Sequence, residues 1–226
     1  MPEERHFPII PTKLYRPALA AHLVPRMRLI ERLESAAQNP LTLIVAPAGY
    51  GKSVLASQWL DVSQWPGAWL TLDEGDDDLH TFLAYVLAAM ATASPGHRFQ
   101  TKNLLHASPA PSSRVIERHL LGDLEQVPER FILVLDGYHH LRDSALHRLV
   151  AQLLAHPSSK LHLALITRWD PPLPLASMRG RGWLNEITAR DLRFTPSETK
   201  SLLERLLRID IPDATAHLLT EKMEGW

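Results

Sequence analysis

Eight residues, Ala46-Pro47-Ala48-Gly49-Tyr50-Gly51-Lys52-Ser53, carry the clearest chemical signal in the chain. They match the phosphate-loop pattern G-x-x-x-x-G-K-[ST] at every defining position except the first, where alanine stands for glycine. Such a run captures polyphosphate. Its glycines let the backbone turn tightly, so that successive N–H groups point inward, and the helix that follows adds partial positive charge. A lysine then supplies a full charge to the β- and γ-phosphates, and a hydroxyl faces Mg²⁺. The nucleotide-binding set expected here is Pro47, Ala48, Gly49, Tyr50, Gly51, Lys52, Ser53 and Val54. A chance glycine-rich turn would not demand Lys-Ser at its end.

A second carboxylate completes the pattern. Phe131-Ile-Leu-Val-Leu-Asp136 is an apolar strand ending in an acid, and Asp136 is expected to hold a Mg²⁺-bound water, with Ser53 as the other metal-side residue. That role places its strand beside the phosphate-loop strand. The next residue is Gly137, where many ATPases carry an acid that orients the attacking water. Its absence argues for slow hydrolysis or for a base from elsewhere, such as Glu74 or Asp76. Asp76–Asp78 otherwise reads as a solvated acidic loop. Arg168 follows the strand 161–167 and could sense the γ-phosphate; a surface arginine capping the sheet explains it equally well. Lys52, Asp136 and Arg168 are thus the catalytic candidates.

Other residues promise less. The 12 histidines show no metal-binding spacing, and with no cysteine there is no thiolate ligand, disulfide or thiol nucleophile. His139-His140 reads as packing or hydrogen bonding. The serines show no nucleophile elbow. With 24 basic and 25 acidic residues the net charge is -1, so bulk electrostatics make no case for nucleic acid or membrane. No apolar run could span a bilayer and the N-terminus lacks an apolar signal core, which suggests a cytoplasmic protein.

These residues need a frame. Hydrophobic side chains make up 45% of the chain, enough for a sizeable core. Apolar strands are expected near 41–46, 68–72, 131–135, 161–167 and 184–187, alternating with helical spacing at 26–37, 52–60, 79–93, 114–126 and 146–154. Alternation of this kind predicts an α/β fold, a parallel sheet sandwiched by helices. Residues 94–112 read as an irregular connection. Thr195-Pro-Ser-Glu198 resembles a capping box, and 201–207 and 214–223 look helical. Three parts follow: an arm at 1–25, a P-loop NTPase core at 26–194, and the start of a helical domain at 195–226.

Several motifs in fixed order add to this reading. They are Lys13-Leu-Tyr-Arg-Pro17, the phosphate loop, Trp69-Leu-Thr-Leu-Asp-Glu74, Leu133-Val-Leu-Asp-Gly-Tyr-His139, Thr167-Arg168, Asp191-Leu-Arg-Phe-Thr195 and Glu224-Gly-Trp226. Together they resemble the N-terminal ATPase domain of MalT-type regulators, the large ATP-binding LuxR family within the STAND class of signalling NTPases. The resemblance implies ATP or ADP with Mg²⁺ as ligands, and ATP-dependent self-association. It also implies an inducer-sensing domain and a DNA-reading helix-turn-helix that lie beyond residue 226. Lys13 and Arg16 would sit on an arm packing over the nucleotide, with Arg28 nearby, and Arg168 would occupy the sensor position. His139 matches a family position. Gly137 departs from the pattern, since family members usually carry a second aspartate there; Gly137→Asp is accordingly expected to raise turnover if that acid limits hydrolysis. The apolar Leu218, Leu219, Met223 and Trp226 suggest that the helical region continues. An inert nucleotide-binding scaffold, or a dedicated metabolic or motor enzyme, are the alternatives.

Overall fold

The computed structural model describes residues 8–20, 23–105, 107 and 111–225. The chain runs through α1 (Met27–Ser35), β1 (Leu41–Val45), α2 (Lys52–Val62), β2 (Gly67–Thr71), α3 (Leu79–Ala93) and α4 (Thr101–Leu104). It continues through α5 (Ser113–Gln126), β3 (Phe131–Asp136), α6 (Ser144–Ala155), β4 (Leu161–Thr167), α7 (Leu175–Gly180), β5 (Leu184–Thr188) and α8 (Ala189–Leu192), ending with α9 (Pro196–Leu207) and α10 (Asp213–Lys222). The parallel five-stranded sheet has the order β2-β3-β4-β1-β5.

Both faces of the sheet are covered, as near-continuous apolar strands require. In β3, Leu133 and Leu135 face a core shared with Phe82 of α3, Leu120 of α5 and Leu146 of α6. Ile132 and Val134 point the opposite way, onto Leu33 of α1 and Trp59 of α2. The two-residue side-chain period thus gives one strand two cores.

The strand order corrects one expectation. β3 is not beside the phosphate-loop strand; β4 lies between them, pairing Val45 with Thr167 on one side and Ile166 with Asp136 on the other. Two inter-strand spacings of about 4.8 Å therefore separate the ends of β1 and β3. The loop after β1 closes the gap by passing over the end of β4.

The acidic loop after β2 is also not uniformly solvated. Asp76 is fully buried and receives Lys13 Nζ at 2.8 Å, while Asp73 binds the same ammonium at 2.8 Å. Asp76 also accepts the backbone N–H of Asp73 at 2.8 Å. Burial of a carboxylate demands such partners, and the arm supplies one. Arm residues 1–7 and 21–22 lie outside the described residues, as does Trp226. At the other end, Leu218 and Met223 are exposed and Leu219 is half-buried.

Within β4, His162 is fully buried. Its Nδ1 lies 2.7 Å from the Asn39 carbonyl and its Nε2 3.1 Å from Thr42 Oγ1. A neutral ring satisfies both, donating to the carbonyl and accepting from the hydroxyl. Burial pulls its pKa down to about 4. Between that value and the usual 6.5 the unfolded chain takes up a proton that the folded chain refuses. Stability is therefore full above pH 6.5 and declines as pH falls towards 4. At pH 5 the loss from this residue is about 2 kcal/mol. Urea unfolding at pH 7 and pH 5 checks it: the pH-dependent difference should shrink by about that amount in His162→Asn.

Candidate functional site

The sequence folds the loop at the C-terminal end of the sheet into an open cradle. Pro47, Ala48, Gly49 and Gly51 are exposed, and Ala46 anchors the start through its N–H to the Thr167 carbonyl at 3.3 Å. Gly51 caps α2 at φ 72, a conformation that side-chain-bearing residues avoid, and no side chain caps the helix. First-turn N–H groups of α2 thus lack a side-chain acceptor and face outward, where an anion could take them.

Lys52 reaches back over this cradle. Its Nζ donates to the carbonyls of Ala46 and Pro47, both at 2.8 Å. Burial lowers its pKa, the nearby Asp136 opposes that shift, and Arg168 adds to it. Lys52 and Arg168 therefore bring two cations to the cradle beside Asp136. Arg168 itself is exposed and has no ion pair among the described residues. Asp136 lies beside the Ser53 hydroxyl. Burial raises its pKa, and Ser53, Lys52 and the Gly137 N–H act against this.

Ser53, Asp136, Lys52 and Arg168 thus come together despite the intervening strand. Among the described residues no cluster of three or more His, Cys, Asp or Glu side chains could hold a metal. A Mg²⁺ here would take the Ser53 hydroxyl and the Asp136 carboxylate, directly or through water, with phosphate oxygens completing its shell. Such oxygen donors suit that ion.

The three cations expected from the arm and the first helix are placed differently. Lys13 is held by Asp73 and Asp76 and lies 4.9 Å from the centre of the Tyr85 ring. Arg16 pairs with Asp61 and donates to the Ser57 carbonyl at 3.2 Å. Arg28 donates to the Asp191 and Arg193 carbonyls, at 2.7 and 2.8 Å, and pairs with Glu198 at 3.3 Å. Each is engaged by the protein itself.

Arg26, two residues before Arg28, went unread in the sequence. It is buried, donates to Glu198 at 3.0 Å, and packs its guanidinium 4.4 Å from the Phe194 ring centre. The available signal was a lone cation in the apolar run Leu23-Val24-Pro25-Arg26-Met27. Arg26 and Phe194 wall a hollow of about 300 Å³ that opens on Gly49, Tyr50 and Val54 and reaches Leu202 and Leu206 of α9. Gln58, also on the wall, has its amide satisfied by backbone, donating to the Val24 carbonyl at 3.1 Å and accepting the Arg26 N–H at 3.4 Å. What remains is an apolar slot beside the phosphate loop.

Gly137 corrects a further expectation. Its φ is 89, and a Cβ there would stand 2.7 Å from the Leu72 carbonyl oxygen. That oxygen belongs to the backbone of the neighbouring strand end and cannot swing aside. An aspartate at 137 therefore does not simply restore a missing acid. Gly137→Asp should lower stability by about 2 kcal/mol, read as a drop in the thermal midpoint, without a gain in turnover.

No protein-family model matches the chain. Among curated proteins it is 34% identical over 218 residues to the HTH-type transcriptional regulator MalT of Serratia proteamaculans, and equally to that of Cronobacter sakazakii; the match covers 96% of this chain. MalT of Yersinia enterocolitica is 32% identical over the same span. The chain is MalT-like over nearly its whole length. It spans 24% of the length of those relatives. In structure the MalT-like chain resembles a STAND protein with a tetratricopeptide-repeat sensor from Pyrococcus horikoshii, with a TM-score of 0.65 at 15% identity, covering 96% of this chain and 30% of that one. Cdc6p from Pyrobaculum aerophilum gives 0.50 at 15% identity, covering 92% of this chain and 56% of the other. Orc1 from Aeropyrum pernix, solved with DNA, gives 0.50 at 19%, covering 88% and 52%. These likenesses establish the fold, an α/β P-loop NTPase. Among the described residues no helix is long and apolar enough to cross a membrane.

Proposed function

We propose that this MalT-like chain is an ATP/ADP-dependent switch, the nucleotide-binding part of a transcription regulator. One observation carries the reading: an open, uncapped phosphate loop bears Lys52, and its Ser53 lies beside the strand-end carboxylate of Asp136. Phosphates would lie on the N–H groups of Gly49–Ser53 with Lys52 and Arg168 alongside, and Mg²⁺ between Ser53 and Asp136. The base would enter the apolar slot behind Tyr50 and Val54.

Switching follows from the walls of that slot. They come from both the phosphate loop and α9, so one ligand touches the core and the following helices together. A ligand shifts only the states it distinguishes, and the γ-phosphate near Arg168 is the group that separates ATP from ADP. In the ATP state the whole regulator would self-associate. Inducer and DNA would be met by other segments, in keeping with the relatives being HTH-type transcriptional regulators. The arm would order over the nucleotide only if Lys13 and Arg16 exchanged their present acids for phosphate.

Hydrolysis is expected to be slow, because no side chain at 137 can orient water. The same observation favours a second reading, binding without turnover. A titration with a fluorescent ATP analogue, with and without Mg²⁺, followed by product analysis tests both. Mg²⁺-dependent saturable binding with ADP appearing at below about one per minute is the expected result. No saturable binding would end the switch reading, and ATP persisting for many hours would favour the second.

A further inference from the structure

A second hollow, of about 580 Å³, lies on the other side of the phosphate site, between α6 and the loop that follows β4. Its volume is that of a small-molecule pocket. We propose that it is a binding site for a small aromatic carboxylate, separate from the nucleotide.

Charge and shape both point that way. Arg142, Arg148 and Ser144 form the rim, Leu141 and Trp169 the walls, and no acidic side chain lines it. Arg148 donates to the Ser144 hydroxyl at 2.8 Å and has no ion pair among the described residues. Glu74 lies 3.8 Å from Arg142 with both side chains largely solvated, while the nearby Asp77 accepts the backbone N–H groups of Arg142 and Asp143, both at 2.7 Å. A guanidinium left with a neutral partner is ready for a bidentate carboxylate.

His139 supplies the second half of the argument. Both ring nitrogens are buried without a hydrogen-bond partner. Leaving polar atoms buried and unmet is costly, so the site holds an unmet demand for a hydrogen-bonding ligand. Trp169 covers the imidazole edge-on at 5.2 Å between ring centres and is itself 58% exposed. A tilt of this indole would open the ring nitrogens to the hollow and leave its own face for an aromatic body to stack on. One carboxylate oxygen then accepts from His139 and the other from Arg148.

His139 feels the charges of Arg168 and Lys52, and Thr167 Oγ1 donates to the Trp169 carbonyl at 2.8 Å. The hollow thus lies beside the backbone turn that holds Arg168.

Phenylacetate titrated into the full chain, followed by aromatic-region NMR, tests the proposal. Saturable shifts of the His139 and Trp169 ring signals with a Kd of about 1 mM are expected, weakened roughly five-fold or more in Arg148→Gln and retained in Lys52→Ala. Retention in Lys52→Ala separates this site from the phosphate loop, so its success or failure is independent of the switch reading. Three results would each overturn it: no saturation by about 20 mM, equal binding of acetate, or loss of binding in Lys52→Ala.

Discussion

Lys52→Ala is expected to weaken Mg-ATP binding about 100-fold while leaving the fold intact. The magnitude follows from the loss of one charge-assisted contact to the phosphates, of about 3 kcal/mol, at 1.4 kcal/mol for each factor of ten. Folding should hardly notice the change. The ammonium is tied only to the Ala46 and Pro47 carbonyls of an exposed loop, and those oxygens can turn to water. Burial already depresses the lysine pKa, with Arg168 adding to the effect, so the protein carries a partly uncompensated cation that an anion would relieve. Isothermal titration of both proteins with ATP, beside a thermal melt of each, gives the answer. Equal affinities would show that the lysine faces no phosphate. A melt lowered by more than about 5 °C would show instead that the residue is structural.

The sequence made some of this legible for clear physical reasons. A glycine-rich turn ending in Lys-Ser is local, so residues 46–53 announce their own geometry. Likewise the capping box is local: Thr195 Oγ1 accepts the Glu198 N–H at 3.2 Å, and the Glu198 carboxylate accepts the Thr195 N–H at 2.9 Å. Strand order is not local. Apolar runs at 41–45, 131–136 and 161–167 are alike in composition, and nothing in them says which pairs with which; the insertion of β4 could be read only from the assembled sheet. Partner choice is equally opaque. Lys13 and Asp76 are 63 residues apart, and Arg26 and Glu198 are 172 apart. Gly137 fails for another reason. Composition cannot reveal that its backbone sits in the left-handed region against the Leu72 carbonyl, so an exchange that looks conservative within a motif becomes a steric problem.

Glu198→Ala is expected to cost about 3 kcal/mol and to loosen α9 and α10 from the core. The carboxylate is buried and serves two arginines: Arg26 Nε donates to Oε1 at 3.0 Å, and Arg28 Nε lies 3.3 Å from the same oxygen. Arg26 is nearly shut off from water. Burial lowers its pKa, and Glu198 is the charge that opposes this. Deleting the acid leaves a buried guanidinium with only the Leu192 and Arg193 carbonyls, at 2.9 and 3.0 Å, and the Phe194 ring. The more exposed Arg28 can turn to solvent, so the cost falls mainly on Arg26. Glu198→Gln keeps the hydrogen-bonding shape without the charge and should cost about half as much. Urea unfolding measures the loss, and limited proteolysis locates it, with faster cleavage near 193–197 and the sheet still protected. Unchanged stability in Glu198→Ala would mean that the pair does not fasten the helices. The slot beside the phosphate loop shares the Arg26 and Phe194 wall, so nucleotide affinity should fall too, by a similar factor for ATP and ADP. That equality distinguishes a damaged base wall from a damaged phosphate site, where the triphosphate would suffer more.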